Sequence, residues 1–247
     1  MLVDRCVTAQ DRVRPSHSFL PNALEAEEFI SIHVLIHSNS VFAMAQNVAD
    51  PDSWIAEHLS GPQQKFVDFA GKVYEEGALD RKTKELIAVA TASVGRCPHC
   101  TEGHIDGAKD AGASEQEVAE ALGVAWAQGS GTQVFWMKED FADLLGGDWR
   151  REFIPEADSA FWDFKSELFE DGALSRQTKE LIAVAVSCQY RCRHCTRSHI
   201  ESALEAGASK AHVAETLSVL WVIGGGTNVV WNKEGFEEHL HSAPADA

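Results

Sequence analysis

Apolar residues along this chain recur at helical spacing, and no stretch alternates long enough to mark a strand. Phe66, Phe69, Val73 and Tyr74 fall on one face of a helix. After a turn at Gly77, a second helix is predicted from about Asp80, through Glu85, Leu86, Val89 and Ala90, to a stop near Gly95. A third opens at Cys97 and Cys100 and ends at Gly112; a fourth starts at Ser114, with Glu117 completing a capping box. Asp80 and Ser175 suit N-caps, and Gly112 and Gly207 suit the position just past a helix.

The same series of elements occurs twice. Phe66 to Trp136 aligns without a gap on Phe161 to Trp231, at the offset that separates Cys97 from Cys192, and more than half of the paired positions are identical. So long a period is not a solenoid unit; it marks a tandem duplication of one small helical domain. The expected fold class is therefore all-α, with two tandem repeats fused in one chain. Residues 61–145 and 156–241 form the repeats, 146–155 the linker, 1–60 an N-terminal helical extension and 242–247 a disordered tail. Within the extension, Asn22 to Asn47 reads as a helix with Leu24, Phe29, Ile32, Leu35 and Ile36 on a broad apolar side. In the second repeat His212 stands where Glu117 stands in the first, so the capping box is expected to be lost there.

Each repeat carries two thiols, an imidazole and a carboxylate at fixed spacing. Cys97, Cys100 and His104 form Cys-x-x-Cys-x-x-x-His, and Cys192, Cys195 and His199 repeat it; Glu85 and Glu180 stand twelve positions before the first cysteine of each. Cysteines two residues apart at a helix start reach disulfide distance without strain, and the helix N-terminus favours the reactive thiolate. Cys100 and His104, like Cys195 and His199, share a helix face. Glu85 and Glu180, on the preceding helix, can pack antiparallel to complete a proton relay. His99 and His194, inside the motif, could tune the thiols. Arg96 and Arg191 would add positive charge if they face inward, and Arg193, replacing Pro98, is expected to favour the Cys192 thiolate.

Composition narrows the partners. The chain has 247 residues, 38 acids against 21 bases and a net charge of −17, which opposes nucleic acid or an anionic membrane as partner. No transmembrane helix is expected, and Met1 to Pro15 lacks the apolar region of a signal peptide. A cytoplasmic location follows, where four of six cysteines in Cys-x-x-Cys pairs read as redox or metal chemistry rather than structural disulfides.

Glu-x11-Cys-x-His-Cys-x3-His inside an all-helical repeat resembles the AhpD-like alkylhydroperoxidases of the carboxymuconolactone decarboxylase superfamily. The resemblance covers both repeats and leaves out residues 1–60. It implies that Cys100 and Cys195 attack a hydroperoxide, that Cys97 and Cys192 resolve the sulfenic acid to a disulfide, and that Glu85 with His104, and Glu180 with His199, relay protons. It also implies a dithiol reductant, protein or lipoyl, no cofactor and no metal, and a homo-oligomer. Single-repeat relatives assemble as hexamers, so a trimer of fused pairs is favoured, with a dimer as the alternative. Thioredoxin-like logic would instead make Cys97 and Cys192 the nucleophiles toward partners.

Other readings compete. The motif could hold zinc, though structural zinc sites use longer loops between ligand pairs. The glutamates could instead pair with Lys84 and Lys179. Cys188, aligned with Ser93, reads as a small buried filler, and Cys6 has no matched partner. Trp126, Trp136, Trp221 and Trp231 read as core or subunit contact, and His33 and His37 as ordinary residues. A lactone decarboxylase or a non-catalytic redox sensor remains an alternative function; decarboxylation does not require a cysteine pair.

Overall fold

Side-chain caps open most of the long helices of this chain. The computed structural model describes residues 48–240; the helix expected over Asn22 to Asn47, Cys6, His33, His37 and the 242–247 tail lie outside the described residues. Helix α1 (Trp54–Val73) is capped by Ser53, α2 (Arg81–Val94) by Asp80, α3 (Pro98–Asp110) by Cys97 and α4 (Glu115–Phe135) by Ser114. Short α5 (Lys138–Leu145) and α6 (Trp149–Phe153) lead into α7 (Pro155–Leu168). The second series continues with α8 (Arg176–Gln189) capped by Ser175, α9 (Arg193–Glu205) by Cys192, α10 (Lys210–Val230) by Ser209, and α11 (Lys233–Leu240). No strand occurs among the described residues, and the chain is all-α.

Two of the expected boundaries run through helices, and one expectation is corrected. The stretch 146–155 is partly helical, because α6 lies within it and Pro155 starts α7. Helix α1 begins before residue 60 and runs into the repeat, with non-helical backbone at Leu59 just ahead of Pro62, where the ring opposes the regular ladder. The capping box of the second repeat is intact. There the Nδ1 of His212 accepts from the Ser209 amide at 2.8 Å, doing with an imidazole what Glu117 does with a carboxylate.

Helices α2 and α8 occupy the centre. Each buries nine consecutive residues, Lys84 to Ala92 and Lys179 to Ser187, which is the mark of a helix packed on all sides. Their alanines and valines let neighbours approach closely: α2 meets α3, α4, α8 and α10, while α8 meets α9, α10, α2 and α4. The fourth helix of each repeat thus lies against the central helix of the other. The first helices cross over as well, α1 packing on α10 and α7 on α4. The repeats interdigitate rather than forming separate beads, related by an approximate twofold. Helix α10 is long and apolar enough to span a membrane by composition alone, but eight of its residues, Val219 and Ile223 among them, are buried in this core.

Reciprocal ion pairs lock the halves together. The Glu215 carboxylate of α10 accepts from the Ala78 and Leu79 amides at 2.7 and 3.0 Å and pairs with buried Lys84 at 3.0 Å. Glu120 of α4 does the same for Ala173, Leu174 and Lys179. The four tryptophans are surface residues rather than core, 53 to 73% exposed. Trp126 sits on Phe164 of α7 and Trp221 on Phe69 of α1, at ring distances of 4.8 and 5.0 Å.

Burial alone would raise the Glu120 pKa, but the Leu174 and Ala173 amides and the Lys179 ammonium outweigh it and hold the carboxyl at about 2, against an ordinary 4.5. A depressed folded-state pKa contributes stability above the unfolded value and loses it as pH falls. Glu120 therefore contributes stability at neutral pH that is lost between about pH 4.5 and 2. Thermal melts across that window should fall steadily for the wild type and much less for Glu120→Gln, which is destabilised already at pH 7.

Candidate functional site

The turn between α2 and α3 places the first cysteine. The Arg96 amide bonds the Ser93 carbonyl and the Cys97 amide the Ala92 carbonyl, a Schellman closure with Arg96 in the left-handed region at φ 55°. Arg191 at φ 57° repeats it before Cys192. A left-handed arginine costs about 1 kcal/mol relative to glycine, and both repeats retain it. Both arginines are exposed, so they do not supply the inward charge expected of them. Cys97 and Cys192 thus end one helix and cap the next: each Sγ accepts from the amide three residues on, at 3.2 Å. Cα separations of 5.2 and 5.3 Å fit disulfides, and both pairs, Cys97 with Cys100 and Cys192 with Cys195, are joined.

One turn further along α3, His104 meets Glu85 of α2, Nδ1 to Oε2 at 2.6 Å, with both side chains buried. His199 and Glu180 reproduce the bond at 2.6 Å. A carboxylate on Nδ1 fixes that nitrogen as the protonated one and leaves Nε2 as the basic atom. The rings lie against Tyr74 in the first repeat and Phe169 in the second. The glutamates do not pair with their neighbouring lysines; Lys84 and Lys179 turn to the opposite repeat.

Beyond this shared core the two sites differ. In the first, Arg81 bonds Glu85 through Nε at 2.9 Å and through its terminal nitrogen, and lies over the Tyr74 ring. Buried His104 Nε2 has no hydrogen-bond partner among the described residues. Burial, reinforced by Glu85, pushes the Tyr74 phenol well up from its ordinary value. In the second, Arg176 stands 4.0 Å from Glu180 and is mostly exposed. His199 Nε2 instead meets the Gln128 amide at 2.8 Å and Lys165 Nζ at 3.3 Å. Burial lowers the His199 pKa, with Lys165 adding to that and Glu180 opposing it, so the imidazole is neutral near neutral pH.

Of the remaining candidates, His194 and Cys195 line a cavity of about 60 Å³ with Gln128, Phe135, Lys165 and His199. The cavity shares Trp162, Lys165, Ser198 and His199 with an outer groove of about 610 Å³. His99 is drawn to Glu234 of α11 at 3.1 Å. Cys188 is half-buried rather than a buried filler, and borders a surface cavity with Arg191, Arg193 and Arg197, on the helix face away from Cys195. Sequence reasoning missed Arg81, Gln128, Lys165 and Gly107. Arg81 and Arg176 carried a signal, four residues before each glutamate in the repeated segment. Gln128 and Lys165 carried none, since their counterparts are Ile223 and Ala70.

An all-helical tandem repeat with a buried Glu–His pair over a cysteine pair in each half defines a class of dithiol proteins. The family model for the carboxymuconolactone decarboxylase family matches residues 62–136 and 155–233, and the chain belongs to that family. It is similar to the uncharacterized protein 4 in the cox locus of Paracoccus denitrificans, 48% identical over 60 residues, which is 24% of this chain and 54% of the relative. It therefore spans about half of that relative's length. An uncharacterized protein of Cupriavidus necator is 36% identical over 77 residues, 31% of this chain and 68% of that protein. A crystal structure from Burkholderia xenovorans, described as a gamma-carboxymuconolactone decarboxylase subunit, shares the fold with a TM-score of 0.55 at 21% identity, over 67% of this chain and 82% of that one.

Gly107 of α3 lets the Glu85 carboxylate seat itself: a Cβ there would lie 2.9 Å from Cδ and Oε1. The second repeat has Ser202 at this position. Gly107→Ala should cost about 1–3 kcal/mol in chemical denaturation by displacing Glu85, while Ser202→Ala should stay within about 0.5 kcal/mol of wild type.

Proposed function

We propose that this protein is a thiol-dependent peroxidase that reduces hydroperoxides through the Cys97/Cys100 and Cys192/Cys195 dithiols. The observation that carries this reading is the buried Glu–His hydrogen bond set beside a disulfide-competent cysteine pair, in both repeats. A zinc site could use the same Glu–His pair, but the thiols it would need are joined to each other in both repeats.

In the reduced enzyme His104 Nε2 takes the proton of Cys100, and His199 Nε2 takes that of Cys195 once the Gln128 and Lys165 donors turn aside; the carboxylate steadies each imidazolium. The thiolate attacks the distal peroxide oxygen, the O–O bond breaks, and the alkoxide leaves with a proton returned by the imidazolium. The sulfenic acid condenses with Cys97 or Cys192, releasing water and closing the disulfide. Two thiols and one hydroperoxide thus give one disulfide, one alcohol and one water. An external dithiol, protein-borne or lipoyl, restores the thiols by exchange. Cys195 keeps 6% of its surface while Cys192 keeps none, which supports the second motif cysteine as the one that meets substrate in the second repeat; Cys97 and Cys100 are equally buried. A cytoplasmic homo-oligomer, a trimer of fused pairs, completes the proposal.

Reduced protein given one equivalent of an organic hydroperoxide per site should lose two thiols per site with a mass fall of two hydrogens. Cys100→Ser with Cys195→Ser should abolish the loss. Unreactive thiols in a protein purified with stoichiometric zinc would overturn the reading.

A further inference from the structure

Two of the differences between the sites meet at one atom. Where the first site has Ala70, Ile223 and Gly107 at matching positions, the second has Lys165, Gln128 and Ser202, and two of these, Lys165 and Gln128, reach His199 Nε2. Lys165 sits on the wall shared by the inner cavity and the outer groove. Its ammonium is held over the Trp162 and Phe169 rings at 5.6 and 5.5 Å, and no carboxylate among the described residues forms an ion pair with it. Glu180, the acid whose field it feels, is engaged by His199 at 2.6 Å and faced by Arg176 at 4.0 Å. Of the other acids on the outer groove, Asp171 caps the Arg176 amide at 2.6 Å and Glu170 is exposed on the rim. A fixed, half-buried cation with aromatic neighbours and no anion of its own is a ready partner for one brought by a ligand. A cavity of about 60 Å³ has room for one small polar group, since a single water needs roughly 10–15 Å³ by the same measure.

We propose that Lys165 makes the second repeat's cavity a carboxylate-binding subsite, so that Cys195 selects small anionic substrates and Cys100 does not. This rests on reading the dithiols as reactive groups. The Lys165 ammonium pairs with the carboxylate at the cavity wall, and the substrate's reacting atom lies toward Cys195. The first site has Ala70 in place of the cation and Ile223 in place of the amide donor.

Alkylation of the reduced full chain tests this without requiring peroxide turnover. Iodoacetate and iodoacetamide react alike, the thiolate displacing iodide from the methylene carbon, and differ in the carboxylate. Peptide mass spectrometry gives the rate constant of each reagent at Cys195 and Cys100. The iodoacetate-to-iodoacetamide ratio should be roughly tenfold higher at Cys195 than at Cys100, the scale of one partly screened charge at close range. Lys165→Met should bring the Cys195 ratio down to that of Cys100, and Lys165→Arg should retain it. Equal ratios at the two cysteines would overturn the subsite. So would a Lys165→Met variant in which both reagents slow together, because Lys165 would then act on the thiolate and not on the ligand. A Lys165-dependent ratio in a protein inert to hydroperoxide would leave the subsite standing and sink the peroxidase reading; rapid peroxide oxidation with equal ratios would do the reverse.

Discussion

Two adjacent charged residues at the start of a buried helix organise this molecule. Lys84 and Glu85, and their copies Lys179 and Glu180, are almost wholly buried on α2 and α8. Charges removed from water so completely are tolerated only with partners. The lysine of each pair turns to the glutamate of the opposite repeat and so interlocks the halves. The glutamate turns to its own repeat's histidine and so builds the thiol site. Fold and chemistry therefore share one dipeptide, and the identity of the Thr-Lys-Glu-Leu-Ile-Ala-Val-Ala segment in both copies has two physical reasons rather than one.

Duplication has allowed the environments of the two sites to separate while this core stayed fixed. The first closes over its carboxylate with Arg81 and Tyr74, leaving His104 Nε2, one turn from Cys100, without a hydrogen-bond partner among the described residues. The second leaves Arg176 at the surface and brings Lys165 and Gln128 to the imidazole. Because Gln128 comes from the first repeat's α4, neither repeat alone contains the second site. The extra positive charge expected there from Arg193 is instead that of Lys165, since Arg193 faces the other side of α9.

Much of this was legible in the sequence because it is local. Asp80, Ser114 and Ser175 cap as expected, since an N-cap needs only its own next turn. The Glu, Cys and His spacings place side chains on faces of consecutive helices joined by a tight turn, and helical geometry alone brings them together. The interdigitation was not legible, because nothing local shows that Glu120 and Glu215 reach across to the other repeat. The intact His212 cap was hidden for a different reason: a known capping pair was sought, whereas any side-chain acceptor at that position serves. Trp126 and Trp221 read as core or subunit contact; the core half of that reading fails, since they lie on exposed faces of α4 and α10 against Phe164 and Phe69.

The central claim is that the buried carboxylates work through the imidazoles on the thiols. Stopped-flow measurement of the second-order rate of thiol oxidation by hydroperoxide, from pH 5 to 9, in wild type and in Glu85→Gln with Glu180→Gln, tests it most directly. The account predicts a rate roughly 10²- to 10⁴-fold lower in the variant near neutral pH, with the same disulfides as product. An unchanged rate and an unchanged pH profile would contradict it.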